Sequence, residues 1–205
     1  MMQEQTLVLA SNNVGKIKEM KEILQPFGII VRSQREAGVS IEVEETGKTF
    51  AENALLKASA IYQQLHCPVI ADDSGLIVDA LNGEPGVHSH RFAGEHSTDE
   101  QRCQKILEQM QDVPAEKRTA RFACVICYLN EEGRENFFTG YCEGKIGTVP
   151  KGKNGFGYDP IFVVGSKTMA EMTEEEKNAV SHRGNALAAL KAYLENRKEY
   201  NHVDK

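Results

Sequence analysis

The sequence lacks an excess of positive charge, an even set of cysteines and any long apolar run. Its 24 lysines and arginines are outnumbered by 30 aspartates and glutamates, which gives a net charge of −6. No global positive field is therefore available to hold a polyanionic duplex, and large nucleic acids are not expected as partners. A small phosphorylated ligand stays compatible with this charge, because it needs only a local cluster of cations and backbone donors.

The five cysteines are odd in number and scattered, which is not the pattern of a disulfide framework in a small secreted domain. Cys124 and Cys127 form a Cys-x-x-Cys pair within the apolar run 122–129, and no second pair completes a zinc site. We therefore expect both thiols to be buried. A reducing compartment fits this cysteine usage best.

No stretch approaches the roughly eighteen apolar residues that a membrane helix needs, and residues 1–6 do not resemble an export signal. We therefore predict a cytoplasmic protein with no membrane partner. The chain has 205 residues, of which 40% are hydrophobic, so it is long enough to bury a substantial core. We predict a single domain over residues 1–205, with two lobes.

Apolar strand patterns and amphipathic helix patterns are interleaved along the chain, which predicts an α/β fold with a mixed sheet. Capping-box patterns at 49–52 and 98–101 predict two helix starts, and the strand at 69–71 is expected to end directly at Asp72. Strands are predicted at 6–10, 29–31, 69–71, 121–129 and 135–143, and helices over 17–24, 49–65, from 98 onward and over about 186–197.

The first polar segment of interest is Ser11-Asn12-Asn13-Val14-Gly15-Lys16, which lies between the first strand and the first helix. A helix amino terminus offers unpaired N–H donors and the positive end of a dipole, and Lys16 adds a mobile cation. These groups suit the triphosphate of a nucleotide. The alternative is an ordinary helix cap with a solvated lysine, since the segment is not a Walker loop.

Two acidic segments follow, Glu42-Val43-Glu44-Glu45 and Asp72-Asp73-Ser74-Gly75. Adjacent carboxylates repel one another, and a strand end that tolerates this repulsion indicates a nearby cation. Magnesium prefers such oxygen ligands and commonly bridges one or two carboxylates to substrate phosphates. A solvated loop is the alternative, and it is the better interpretation for Glu42 to Glu45 taken alone.

The third segment is Gly155-Phe156-Gly157-Tyr158-Asp159-Pro160, which we interpret together with Lys177 and Ser181-His182-Arg183-Gly184. Glycines beside an aromatic ring let backbone and ring approach a planar base. Asp159 is a candidate acceptor for a base N–H, and the cationic side chains are candidate donors to a purine carbonyl. Phe156 as a core residue and Ser181 as a helix cap are the alternatives.

Taken in order, these segments resemble the inosine triphosphatase family of XTP/dITP diphosphatases. The resemblance also includes Glu44-Glu45-Thr46-Gly47-x-Thr49-Phe50-x-Glu52-Asn53-Ala54 and covers residues 7 to about 194. It implies an elongated α/β fold with a long mixed sheet, two lobes around a nucleotide cleft, and a homodimer. The implied reaction converts ITP, dITP and XTP to the monophosphate and pyrophosphate through attack of a magnesium-bound water at the α-phosphorus.

The resemblance also implies residue roles. Asp73 would be the catalytic residue, and Glu44 and Asp73 would be the magnesium ligands, with Asp72 close by. Substrate contacts would come from Ser11 to Lys16 and Ser74 for phosphates and sugar, and from Phe156, Gly157, Tyr158, Asp159, Lys177, His182 and Arg183 for the base.

Two other functions compete with this prediction. One is a related pyrophosphatase that acts on other modified nucleotides, because the metal and triphosphate features would look alike. The other is a nucleotide-binding sensor without turnover. The crowded carboxylates argue against a sensor, since a pure binder gains nothing from them beside a polyanion unless a metal bridges them.

Overall fold

A computed structural model describes residues 5–203, with side-chain positions for residues 6–197. The strands are β1 (Gln5–Leu9), β2 (Ile29–Ser33), β3 (Val69–Val78), β4 (Thr119–Leu129), β5 (Glu135–Ile146), β6 (Phe162–Val164) and β7 (Lys167–Thr168). The helices are α1 (Val14–Leu24), α2 (Phe50–Leu65), α3 (Asp99–Gln109), α4 (Glu174–Val180) and α5 (His182–Val203), and several short 3-10 turns join these elements.

The strands form a seven-stranded sheet in the order β2-β1-β3-β4-β5-β6-β7. β1 is parallel to β2, with Leu9 opposite Ser33, and parallel to β3, with Leu9 opposite Ile70. β6 is antiparallel to both β5 and β7. The sheet is therefore mixed and the predicted α/β class is confirmed.

Local capping chemistry explains why the predicted helix starts are correct. Thr49 accepts from the Glu52 backbone N–H, while the Glu52 carboxylate accepts from the Thr49 backbone, so the box closes at the start of α2. The same reciprocal pair forms between Thr98 and Gln101 at the start of α3. Each box satisfies two backbone donors that the first turn of a helix leaves unpaired.

The prediction that the third strand ends at Asp72 is wrong, because β3 continues to Val78. Leu76 and Val78 are fully buried, so burial continues along the strand beyond the acidic pair. Successive side chains of a strand point to opposite faces of the sheet. Asp72 and Asp73 therefore face opposite sides, and they do not form one cluster at a strand end.

The last helix begins at His182, earlier than the predicted residue 186. Residues 182–185 include no apolar side chain, so a search for apolar periodicity does not detect the first turn of this helix. Ser181 is the residue that ends α4, where its backbone N–H donates to the Lys177 carbonyl at 2.8 Å.

The chain divides into two compact units. The first contains the residues up to Asp73, together with Cys124–Gly140 and the residues from Arg183 on, and the second contains Ser74–Ala123 and Tyr141–His182. In the first unit, one core cluster includes Leu7, Leu9, Ile70 and the α1 and α5 side chains, and the other includes Val8, Val69, Ala71 and α2 side chains. The prediction of a single two-lobed domain stays a prediction.

The cysteine prediction is confirmed. Cys124 and Cys127 are fully buried free thiols in β4, and burial raises the pKa of each to about 12. Both belong to the core of the first unit. Within residues 5–203, no helix is both long enough and apolar enough to cross a membrane.

Candidate functional site

The segment Ser11–Lys16 forms the entry to α1 in the first unit. Asn13 is the N-cap, and its side-chain carbonyl accepts from the Lys16 backbone N–H at 3.1 Å. The Asn13 backbone N–H in turn donates to the Ser11 hydroxyl at 3.2 Å. Asn12 and Val14 are exposed, Gly15 is half-buried, and α1 has no acidic residue in its first turn. The cap and the lack of a nearby carboxylate in the first turn are compatible with an anion at the positive end of the helix, and phosphate binding there stays a prediction.

Lys16 is not the solvated lysine of the alternative interpretation. Its side chain is 9% exposed, and its ammonium lies 3.1 Å from Asp72 Oδ2. The same oxygen accepts from Arg183 Nη2 at 3.1 Å and from Arg183 Nε at 3.3 Å. Arg183 Nη1 also bonds to the Glu19 carboxylate. Two cations and two carboxylates therefore form a buried charge network on one face of the sheet.

The network keeps Asp72 ionised. Burial by itself would raise the pKa of Asp72, but the Lys16 and Arg183 cations hold it well below its usual range. The carboxylates of Asp72 and Glu19 outweigh burial at Arg183 and raise its pKa above the usual arginine value. Asp72 Oδ1 is fully buried and has no hydrogen-bond partner among the described residues. Asp72 is thus a fixed negative charge and a poor proton acceptor.

Asp73 lies on the other face, against α2. Its Oδ2 accepts from Asn53 Nδ2 at 3.0 Å, and its Oδ1 lies 3.5 Å from the Lys57 ammonium. Burial raises the pKa of Asp73 above its usual value, although Lys57 and Lys16 oppose the shift. A buried carboxylate with a raised pKa is a better proton acceptor than an ordinary aspartate.

The helix α2 brings the acidic loop to Asp73. Asn53 Oδ1 accepts from the Gly47 backbone N–H at 2.7 Å while its amide nitrogen donates to Asp73. Lys57, one turn further along the helix, lies 2.5 Å from Glu45 Oε1 and so joins Glu45 to Asp73. A Cβ on Gly47 would lie 2.6 Å from Asn53 Oδ1, so only glycine permits this approach.

The residues present fit a divalent cation, because Glu45 and Asp73 already flank a cationic ammonium on this face. Carboxylate oxygens are the ligands that magnesium prefers. Among the described residues no three His, Cys, Asp or Glu side chains group into a metal-binding cluster. The predicted ligand Glu44 is exposed, and its role as a ligand stays a prediction.

The predicted base-binding loop lies in the second unit. Asp159 is buried, and its Oδ2 accepts from the Phe156 backbone N–H at 2.9 Å and from the Lys177 ammonium at 2.7 Å. A Cβ on Gly155 would lie 2.0 Å from that oxygen, and Gly155 has a φ of +75°. The glycine therefore permits both the turn and the approach of Asp159. The structure brings Asp159 and Lys177 together, and their contacts with a base stay predictions.

Phe156 is half-buried, and the Lys177 ammonium lies 4.6 Å from the centre of its ring. Tyr158 is buried and donates from its hydroxyl to the Ser89 carbonyl at 2.8 Å. The His182 ring stacks on Phe122 with a centroid distance of 4.8 Å. The described partners of Tyr158 and His182 are thus the protein's own groups, and their contacts with a base stay predictions.

Two residues that are predicted to bind substrate, Arg183 and Ser74, do not contact the loop at 155–160 in the bonds given above. Arg183 bonds to Asp72 and Glu19 in the first unit, although it was predicted to donate to a base. Ser74 is a half-buried residue of β3. Their substrate contacts stay predictions.

Sequence reasoning missed Glu19, Asn53 and Lys57 as members of the site. A usable signal was present for each helix. Asn53 and Lys57 are four residues apart on α2, and Asn53 shares the buried side of that helix with Ala54. Glu19 is three residues from Lys16 and is buried beside Met20. A charged or amide side chain on an otherwise apolar stripe indicates a paired, buried polar group.

Comparison with known proteins shows the family of the chain. A sequence model of the Ham1 family matches residues 7–193. The chain belongs to the Ham1 family. It is 47% identical over 190 residues to the dITP/XTP pyrophosphatase of Bacillus subtilis strain 168, covering 92% of this chain and 96% of that protein. It is 50% identical over 196 residues to the dITP/XTP pyrophosphatase of Escherichia coli K12, covering 94% and 99%.

Solved structures agree in fold. The Staphylococcus aureus Ham1 protein superposes with a TM-score of 0.83 at 45% identity, covering 94% of this chain and 100% of that one. A HAM1 protein from Coxiella burnetii superposes with a TM-score of 0.84 at 46% identity, covering 94% and 99%. The resemblance inferred from the sequence motifs is therefore confirmed.

Proposed function

We propose that the chain is a dITP/XTP pyrophosphatase, a hydrolase that converts deaminated purine nucleoside triphosphates, including ITP, to the monophosphate and pyrophosphate. Ham1 family membership supports the reaction class, and relatives at 47% and 50% identity carry that name. One observation carries the assignment to this chain's own residues. The adjacent carboxylates lie on opposite faces of the sheet, Asp72 against Lys16 and Arg183 and Asp73 against Asn53 and Lys57, and their pKa values shift in opposite directions. Such a pair separates a fixed charge from a proton acceptor.

The phosphate groups bind at the entry to α1 in the first unit. Ser11 to Lys16 supply a capped helix terminus, backbone donors and the buried Lys16 ammonium. Asp72 holds that ammonium in place at 3.1 Å and is itself held by Arg183. Ser74 adds a hydroxyl for the phosphates or the sugar.

Asp73 accepts the proton of the attacking water. As the water oxygen bonds to the α-phosphorus, the bond from that phosphorus to the bridging oxygen breaks and pyrophosphate leaves. Asn53 orients the carboxylate for this role through a bond of 3.0 Å. Magnesium is the proposed cofactor, held by Glu44 and Asp73; when bound it neutralises phosphate charge and makes a bound water more acidic.

The base binds at the loop of the second unit, at Phe156 to Asp159, with Lys177, His182 and Arg183 as the further proposed contacts. Lys177 is a buried donor already paired with Asp159 at 2.7 Å. A 6-oxo purine offers this ammonium an acceptor, whereas a 6-amino purine offers another donor. A 6-amino group would set one donor against another at this buried position, so deaminated bases are preferred.

A panel of triphosphates tests the substrate class. The chain is incubated with magnesium and dITP, XTP, ITP, ATP or dTTP, and pyrophosphate release is measured. We expect the three deaminated purines to be hydrolysed far faster than ATP and dTTP. Equal rates for ATP would refute the proposed selectivity and favour a pyrophosphatase of other nucleotides.

Replacing the proton acceptor separates an enzyme from a nucleotide sensor. In Asp73→Asn we expect dITP hydrolysis to fall by about 10²-fold or more while nucleotide binding persists. The matched control is Asp112→Asn, at an exposed aspartate, which should hydrolyse dITP at the wild-type rate. Retained turnover in Asp73→Asn would remove the catalytic role of Asp73.

The family resemblance also supports a cytoplasmic homodimer. Light scattering after size-exclusion chromatography measures the mass directly. A mass equal to the 22.8 kDa of one chain would refute the dimer.

A further inference from the structure

The first turn of α3 contacts the loop that is proposed to receive the base. Thr98 caps this helix, and its reciprocal bonds with Gln101, at 2.8 and 3.2 Å, fix the backbone of the turn. Asp99 is the first residue of the helix. Its position therefore follows from local capping chemistry, which the sequence already encodes.

Both backbone groups of Gly157 are bonded to side chains of α3. Asp99 Oδ2 accepts from the Gly157 N–H at 2.6 Å, a short bond to a charged acceptor. Cys103 Sγ, one turn further along α3, lies 3.4 Å from the Gly157 carbonyl oxygen. Gly157 itself has a φ of +64°, which glycine adopts without strain. The helix therefore holds the loop at one defined residue.

Arg102 fixes the carboxylate that makes the contact. It forms an ion pair with Asp99 Oδ1, and it donates to the carbonyls of His90 at 3.0 Å and Ser97 at 2.5 Å. The Arg102 side chain is only 9% exposed, so its guanidinium has little freedom to move. With one oxygen held by Arg102, the other oxygen of Asp99 is directed at Gly157.

The anchored residue adjoins the aromatic side chain of the site. Phe156 precedes Gly157, and its backbone N–H bonds to Asp159, which also pairs with Lys177. The segment has no regular secondary structure, so helix or strand bonds do not fix the position of the Phe156 ring. A shift at Gly157 would move Phe156 relative to Lys177.

We infer that Asp99 is a positioning residue for base selectivity, which acts by fixing Gly157 and hence Phe156 beside Lys177. The inference rests on the proposed function, because it assumes that Phe156 and Lys177 receive the base. Asp99 itself does not touch the substrate in this scheme. Its loss should therefore weaken base recognition more than the chemical step.

The test compares Asp99→Ala with a matched control, Glu100→Gln. Glu100 lies in the same first turn, and its side chain is exposed. The control thus removes one negative charge from the same helix end without touching the Gly157 anchor. Hydrogen exchange at the Gly157 amide reports the anchor, and kcat and KM for dITP and dATP report the function.

In Asp99→Ala we expect Gly157 to exchange about tenfold faster or more. The KM for dITP should rise about tenfold, as expected for loss of one charge-assisted bond. The preference for dITP over dATP, measured as the ratio of their kcat/KM values, should fall by a similar factor. The kcat for dITP should stay within about threefold, and Glu100→Gln should match the wild type in every measurement.

If Asp99→Ala does not fold, Asp99→Asn takes its place, because the amide keeps the size and one acceptor oxygen. The expected rise in KM is then about threefold, from a neutral acceptor in place of a charged one. An unchanged exchange rate at Gly157 would overturn the anchor. Faster exchange with unchanged KM and selectivity would overturn the positioning role and leave the proposed function standing. A wild-type chain inactive on every triphosphate would refute the proposed function, and this inference with it.

Discussion

Neutralising Asp72 should destabilise the protein strongly, whereas the same change at Asp73 should not. The Asp72 carboxylate is fully buried, and one oxygen meets Lys16 and Arg183 at 3.1 Å each. In Asp72→Asn both cations lose that charge while their side chains stay 9% and 1% exposed. Removing one partner of a buried pair costs about 3–5 kcal/mol. Since Glu19 still balances Arg183, we expect about 3 kcal/mol, or roughly 6–12 °C in Tm for a chain of this size.

The effect should depend on pH in a defined direction. In the folded state the pKa of Asp72 lies below its ordinary value of 3.8. The charge of Asp72 therefore stabilises the folded state in full at pH values above about 4. Below pH 3.8 the unfolded chain takes up the proton first, and this stabilisation is progressively lost. The difference in unfolding free energy between wild type and Asp72→Asn should therefore narrow as the pH falls below about 4.

Asp73 should behave in the opposite way. Burial raises its pKa in the folded state, so its charge at neutral pH costs stability that protonation would restore. Asp73→Asn removes that charge at constant size. We therefore expect this variant to be at least as stable as the wild type at pH 7, even though it loses hydrolysis.

Urea unfolding, followed by circular dichroism at pH 7 and at pH 3.5, measures these differences. A surface pair provides the control: Lys191 and Glu195 lie 3.6 Å apart with Glu195 60% exposed, so Glu195→Gln should cost no more than about 0.5 kcal/mol. Equal urea midpoints for Asp72→Asn and Glu195→Gln would refute the buried network. If Asp73→Asn lowered the free energy of unfolding as much as Asp72→Asn, the two carboxylates would not lie in opposite electrostatic environments, and the reasoning would be refuted.

Two further predictions concern a glycine and the cysteines. Gly155→Ala places a Cβ 2.0 Å from Asp159 Oδ2. The control is Gly165→Ala, because Gly165 has a similar positive φ but open space around it. Gly155→Ala should therefore lower Tm more than Gly165→Ala, and equal falls in Tm would contradict the clash. Cys124 and Cys127 should not react with a thiol reagent at pH 8 until the chain is unfolded, because burial raises the pKa of both to about 12. Mass spectrometry locates the modified thiols. Modification of either cysteine in the folded protein would contradict their burial.

Much of the fold could be predicted because its signals are local. Capping boxes at Thr49 and Thr98 depend on residues three positions apart, and the strands β1, β4 and β5 follow from patterns within a few residues. The extension of β3 through Asp72 and Asp73 could not be predicted in this way. Two adjacent carboxylates after an apolar run are interpreted as the end of a strand unless the cations that pair with them are known.

The sequence by itself determined the elements of the candidate site: a capped helix entry at Asn13, an acidic pair after an apolar run of residues, and a glycine-flanked aromatic loop at Phe156. Only the tertiary structure decided which charges meet. Arg183 is 111 residues from Asp72, and Lys57 is 16 residues from Asp73, so no local pattern pairs them. The strand repeat of two residues places the neighbouring carboxylates on opposite faces. On one face the Lys16 and Arg183 cations hold the pKa of Asp72 below its usual range, and on the other face burial raises the pKa of Asp73 against the opposing effect of Lys57.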